Sequence, residues 1–119
     1  MPGIVNHPYD EREVVDPSDE KLGRVEDAYV DAASGEPVFL LISGGLFGAR
    51  KHLVPVTGAE LIGDDKVRVA YDAETVKAAP HVSLDEQLEP AEELALFDHY
   101  GVRHPGDRVV LVAAELHAP

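Results

Sequence analysis

Val38-Phe39-Leu40-Leu41-Ile42-Ser43 decides what kind of fold this chain can adopt. The run is short, apolar, partly β-branched, and bounded by Pro37 on one side and Gly44-Gly45 on the other, which is the signature of a strand. Successive strand side chains point to opposite faces, so Val38, Leu40 and Ile42 line one face and Phe39 and Leu41 the other. Both sets are apolar. A strand in a small open sheet ordinarily keeps one polar face, so each face here needs a cover. A C-terminal helix, the C-terminal strand or a second subunit would each serve.

Working outward, the neighbouring segments repeat the β pattern. Toward the N-terminus, Leu22 to Asp31 reads as a long strand that returns through the turn Ala33-Ser34-Gly35-Glu36, whose glycine tolerates the positive φ of a hairpin. Before it, Glu13 to Asp16 reads as a short strand ended by Pro17-Ser18-Asp19-Glu20. Toward the C-terminus come Lys51 to Val56, Ala59 to Ile62 and Lys66 to Val69, the last two joined at Gly63-Asp64-Asp65. Six short strands with hairpin-length links describe a small barrel.

The pattern changes after Tyr71. Asp72 is placed to cap a helical turn from Ala73 to Ala79, stopped by Pro80. A stronger helix opens at Glu89-Pro90, with Pro at its first position and Glu92 and Glu93 at the positive end of its dipole; Gly101 is placed to end it. Leu94, Phe97 and Tyr100 are three apart and predict the stripe that packs on the barrel. Arg108 to Leu116 reads as a final apolar strand. The fold class expected is thus mainly β: a small barrel of about six short strands, a helical extension and a last strand. One domain is expected over residues 1–119, with the barrel core at 10–75 and the extension and C-terminal strand at 76–119.

Composition narrows the partners. The 119 residues carry 23 acids and 10 bases, a formal charge of −13. Residues 22–71 hold 7 acids and 5 bases, whereas residues 72–98 hold 8 acids and 1 base, so the helical extension is the acidic surface. An excess of this sign repels phosphate backbones and anionic lipid, so neither nucleic acid nor membrane is an expected partner. There is no cysteine, which removes disulfides and thiolate chemistry. Met1 to Pro8 lacks the basic and apolar parts of a secretory signal, and no apolar run nears the ~18 residues of a membrane helix. A cytoplasmic location is the expectation.

No motif for phosphate cradling, zinc proteolysis, calcium binding or nucleophilic catalysis occurs. Gly44-Gly45-Leu46-Phe47-Gly48 lacks the Lys-Ser/Thr pair of a phosphate loop and runs into a strand, so it reads as a hairpin tip displaying Leu46 and Phe47. Beside it, Arg50-Lys51 is the only adjacent pair of bases. Of the histidines, His52, His81, His99 and His104 show no ligand spacing, and the acidic pairs Asp64-Asp65, Asp85-Glu86 and Glu92-Glu93 lack the spaced pattern of a calcium loop. Asp27 and Asp31 read either as half-buried acids or, as is usual for isolated carboxylates on a strand, as solvated ones. No catalytic residue, metal ligand or cofactor is expected.

The order of these segments carries a resemblance. Asp19-Glu20-Lys21-Leu22-Gly23-Arg24-Val25-Glu26-Asp27-Ala28-Tyr29-Val30-Asp31, then Ser34-Gly35-Glu36-Pro37-Val38-Phe39-Leu40-Leu41-Ile42, Leu46-Phe47-Gly48 and Leu53-Val54-Pro55-Val56 resemble the PRC-barrel domain. That family is named for the cytoplasmic domain of the photosynthetic reaction-centre H subunit and includes the C-terminal domain of a ribosome maturation factor. The resemblance covers about residues 10–75, and residues 76–101 look like the extension of stand-alone bacterial members. It implies a β-barrel used for protein-protein contact or assembly, with no catalytic residues to carry over. In that setting Gly23 lets two strands approach closely, and Pro55 ends a strand where its missing N–H is not needed.

The functional expectation is a non-enzymatic interaction module that forms a homo-oligomer, with a dimer favoured, and meets an unidentified protein partner. The expected interface residues are Val38, Phe39, Leu41, Leu46, Phe47, Arg50, Val110 and Val112. Two alternatives stand beside it. One is a small-molecule or metal-binding enzyme using His52, His81 or His99 beside acids; the other is an RNA- or ribosome-associated factor, for which the bases Arg24, Arg50, Lys51, Lys66 and Arg68 are scattered.

Overall fold

A computed structural model describes residues 9, 11–31, 36–44, 50–80, 82, 88–102 and 111–113, the last three by backbone alone. The strands are β1 (Glu13–Val15), β2 (Lys21–Asp31), β3 (Pro37–Ser43), β4 (His52–Pro55), β5 (Glu60–Ile62) and β6 (Lys66–Arg68). Two helices follow, α1 (Ala73–Lys77) and α2 (Pro90–Tyr100), and then β7 (Leu111–Ala113). The chain is mainly β, as its sequence predicts.

One sheet runs β4-β3-β2-β1-β6-β5, and β7 joins beside β2. β2 is long enough to serve three neighbours. It pairs with β3 from Arg24 to Val30 on one edge; on the other, β1 occupies Lys21 to Arg24 and β7 occupies Tyr29 to Asp31. Most neighbours are antiparallel, but β1 and β6 run parallel, with Glu13, Val14 and Val15 opposite Lys66, Val67 and Arg68. The sheet curls in the manner of a barrel. Among the described residues no ladder joins β4 to β5, so it does not close.

The curl needs a close approach at Gly23. A methyl group placed there would lie 2.4 Å from the backbone oxygen of Ser43 and 3.2 Å from that of Gly44. Backbone atoms cannot rotate away, so only glycine lets β2 pass under the end of β3. The turn before β2 is built from side-chain acceptors. Asp16, 7% exposed, takes the N–H groups of Ser18 and Glu20 at 2.8 and 2.9 Å, and Asp19 adopts a positive φ of 67° that an aspartate tolerates. Asp19 then reaches Arg68 on β6 at 2.5 Å. Across the sheet Arg12 donates to the carbonyls of Gly63 and Lys66, both at 3.0 Å, and so fastens the β5-β6 hairpin to the strand before β2.

The helices follow their capping chemistry. Asp72 accepts the N–H of Thr75 at 2.9 Å, which starts α1 and holds the Asp72 carboxyl below its ordinary range. Glu89 and Glu92 form a reciprocal capping box at the start of α2, and Gly101 ends it with φ 66°. The predicted stripe on α2 is only partly right. Phe97 and Tyr100 are buried, but Leu94 is 52% exposed, and the inward face is Glu93, Leu96, Phe97 and Tyr100. These four are spaced three, one and three apart, as a helical face requires. Glu93 stands where an apolar residue would have marked that face.

Replacing Gly23 with alanine tests the close approach. The expected outcome is a loss of about 1–3 kcal/mol in urea unfolding, because the added methyl meets backbone rather than a movable side chain.

Candidate interaction surface

Strand β3 is covered on both faces by its own chain. Phe39 is fully buried, and its ring lies 5.2 Å from that of Phe97 on α2, tilted by 54°. Leu40 and Ile42, on the alternate face, are also fully buried. Of the three covers that a doubly apolar strand allows, the helix supplies one side of it. Phe39 and Leu41, 8% exposed, are therefore residues of this chain's core; the apolar second face that marked them as interface residues is satisfied internally. Val38 is half-buried and Arg50 is exposed. Val112 lies on β7 opposite Val30. Leu46, Phe47 and Val110 lie outside the described residues, as do His81 and His104.

Helix α2 also closes one edge of the sheet. Val56 donates its N–H to Val38 at 3.0 Å, so in the extended strand before it Leu53 and Pro55 turn their backbone groups away from β3. Pro55 has no N–H to offer. The Leu53 carbonyl accepts a hydrogen bond from the Tyr100 hydroxyl at 2.5 Å. A strand arriving at β4 would thus meet a missing donor and an occupied acceptor. Tyr100 is itself held from two sides: edge-on against Tyr71 at 4.8 Å, and by its neighbour His99, whose Nε2 sits 2.7 Å from the Thr75 carbonyl of α1. Burial, with a smaller contribution from Tyr71, pushes the Tyr100 phenol above its ordinary pKa of 10.0.

The opposite edge is built differently. Among the described residues β5 pairs only with β6, through Glu60 and Arg68, Leu61 and Val67, and Ile62 and Lys66. Leu61 is 46% exposed although Val67, directly across from it, is fully buried.

The outer sheet surface carries charge in cross-strand pairs. Glu13 on β1 lies 3.7 Å from Lys21 on β2 and 3.9 Å from Lys66 on β6. Glu26 accepts from Ser43 and lies 3.3 Å from Lys51, and these two partners, Ser43 first, hold its carboxyl below the ordinary range. Lys51, just before β4, is therefore paired with Glu26 on β2, while Arg50 beside it is solvent-exposed. Among the described residues no three His, Asp or Glu side chains converge on a metal-sized site; His52 is buried on β4 and His99 is spent on Thr75. Tyr100 as an edge seal went unread in the sequence, where it counted only as a packing residue. Nor did Leu61 stand out there, since its half-exposed position depends on the sheet failing to close.

A curled, mostly antiparallel sheet with one sealed edge, one open edge and a helix across its back defines a small β module. The PRC-barrel domain model matches residues 8–76, more than half of the chain, and the chain belongs to that family. The match takes in β1 to β6 and most of α1, while α2 and β7 lie beyond it. No curated protein matches the chain.

Replacing Tyr100 with phenylalanine should cost about 1 kcal/mol, the typical worth of one hydrogen bond. The pH dependence carries its own sign. A phenol whose pKa is raised by folding stabilises the fold below its ordinary value of 10.0, and that contribution is lost as the pH climbs above it. Urea unfolding of the parent protein should therefore show stability falling above pH 10.0, with a shallower fall in the Tyr100→Phe variant.

Proposed function

We propose that the chain is a non-enzymatic protein-protein contact module that associates with itself, as a dimer in its simplest form, through the outer side of β7. Family membership supports the first part, since the matched segment is a small β module. The observation that carries the second is the placement of β7. It occupies only Tyr29 to Asp31 of the β2 edge, and among the described residues no strand lies on its other side. An unpaired edge seeks backbone partners, and a two-fold axis beside β7 would supply an identical one. The sealed β4 edge favours β7 by contrast. Phe39 and Leu41 take no part in this contact, because they are already buried in the core; Val112, on β7, does.

Sedimentation equilibrium at micromolar concentration, combined with amide hydrogen exchange, tests the proposal. A dimer mass, with exchange at residues 111–113 slowing as concentration rises, is expected. A monomer at every concentration overturns self-association, and a dimer whose exchange at 111–113 ignores concentration overturns the choice of edge.

A further inference from the structure

The open edge at β5 points to a second kind of contact. Directly opposed residues of an antiparallel pair share a face, so Leu61 lies on the same face as Val67, which is the core face. Yet Leu61 remains 46% exposed, because among the described residues the sheet stops at β5 where a closed barrel would continue. Its backbone edge is open too: β6 occupies one side of β5, and among the described residues nothing pairs with the other. An added strand would therefore find hydrogen-bonding groups and a half-covered leucine at one place.

The charges around that edge select the occupant. Glu60, Asp64 and Asp65 are all exposed, and residues 60–65 contain no base. The neighbouring cations are already committed: Lys66 to Glu13 at 3.9 Å, Arg68, which stands opposite Glu60, to Asp19 at 2.5 Å, and Arg12 to the carbonyls of Gly63 and Lys66 at 3.0 Å. A second copy of the chain would bring the same three acids into opposition, which like-charge repulsion disfavours. The complementary occupant is an extended segment of another protein in which Lys or Arg alternates with Val, Ile or Leu. Its apolar side chain would cover Leu61, its bases would meet Glu60, Asp64 and Asp65, and its backbone would extend the sheet.

We infer that β5 is a docking edge for a basic, extended segment of a partner protein, a reading that rests on the chain being a contact module. Titration of the isotope-labelled protein with a short peptide of alternating lysine and valine tests it, followed by amide NMR. Shifts should concentrate at residues 60–68, and added salt should weaken binding, as it does for exposed charges. Leu61→Asp should weaken binding about tenfold or more, through lost burial. The Glu60→Gln, Asp64→Asn, Asp65→Asn triple variant changes only exposed side chains, so it keeps the fold in hand while also weakening binding. Absence of binding, equal binding of a glutamate-valine peptide, shifts centred elsewhere, or unchanged affinity in the triple variant would each overturn the inference. A chain that still sediments as a dimer while ignoring the peptide separates the two readings: the module stands and the β5 edge falls.

Discussion

The contact between Phe39 and Phe97 is the constraint from which the rest of the arrangement follows. A strand that is apolar on both faces cannot sit in an open sheet unless something lies over each side. In this chain α2 provides the cover on the Phe39 side, and its position is then fixed: Phe97 over Phe39 brings Tyr100, three residues on, to the Leu53 carbonyl at the rim of β4. One helix face accordingly performs two tasks, burying an aromatic ring and removing an acceptor from a sheet edge. The short helix α1 completes the support, since its Thr75 carbonyl anchors His99 beside Tyr100.

The family match ends near the start of this arrangement. Residues 8–76 contain the doubly apolar strand, but the helix that covers it lies beyond them. The β module and its extension are therefore linked by need, because the module's own strand requires the extension's aromatic face. The acidity of the extension fits this division. Its charged residues project outward, as at Glu89 and Asp98, while one acid, Glu93, is drawn into the packed face.

Much of the fold was legible because local chemistry and global packing agree. Alternation and turn residues marked β1 to β6 within one or two residues, Asp72 and Gly101 marked helix ends, and Gly23 announced a close approach that the Ser43 carbonyl makes real. The interaction surface was less legible. Phe39 and Leu41 carried the right signal, an uncovered apolar face, but sequence offered three covers and could not choose among them. Leu94 misled because it sits at a plausible spacing from Phe97, whereas the buried Glu93 disguised the true face. Edge properties were hidden for a different reason. Whether Leu61 is covered depends on which strands are neighbours, and no local pattern encodes that, among the described residues, β5 ends the sheet.

The parallel pairing of β1 with β6 bears on the order in which the sheet is assembled. β2, β3 and β4 are joined by short connections, so their ladders link residues close in sequence and close small loops. Val14 and Val67, by contrast, must find each other across most of the domain, and the entropy of closing that long loop is lost before any contact is gained. By loop length alone the meander is the cheapest part of the sheet to close, and the β1–β6 and β2–β7 ladders are the costliest. Arg12 and the Asp19–Arg68 pair lie at the long-range β1–β6 seam, where they act as fasteners for a ladder of only three residues.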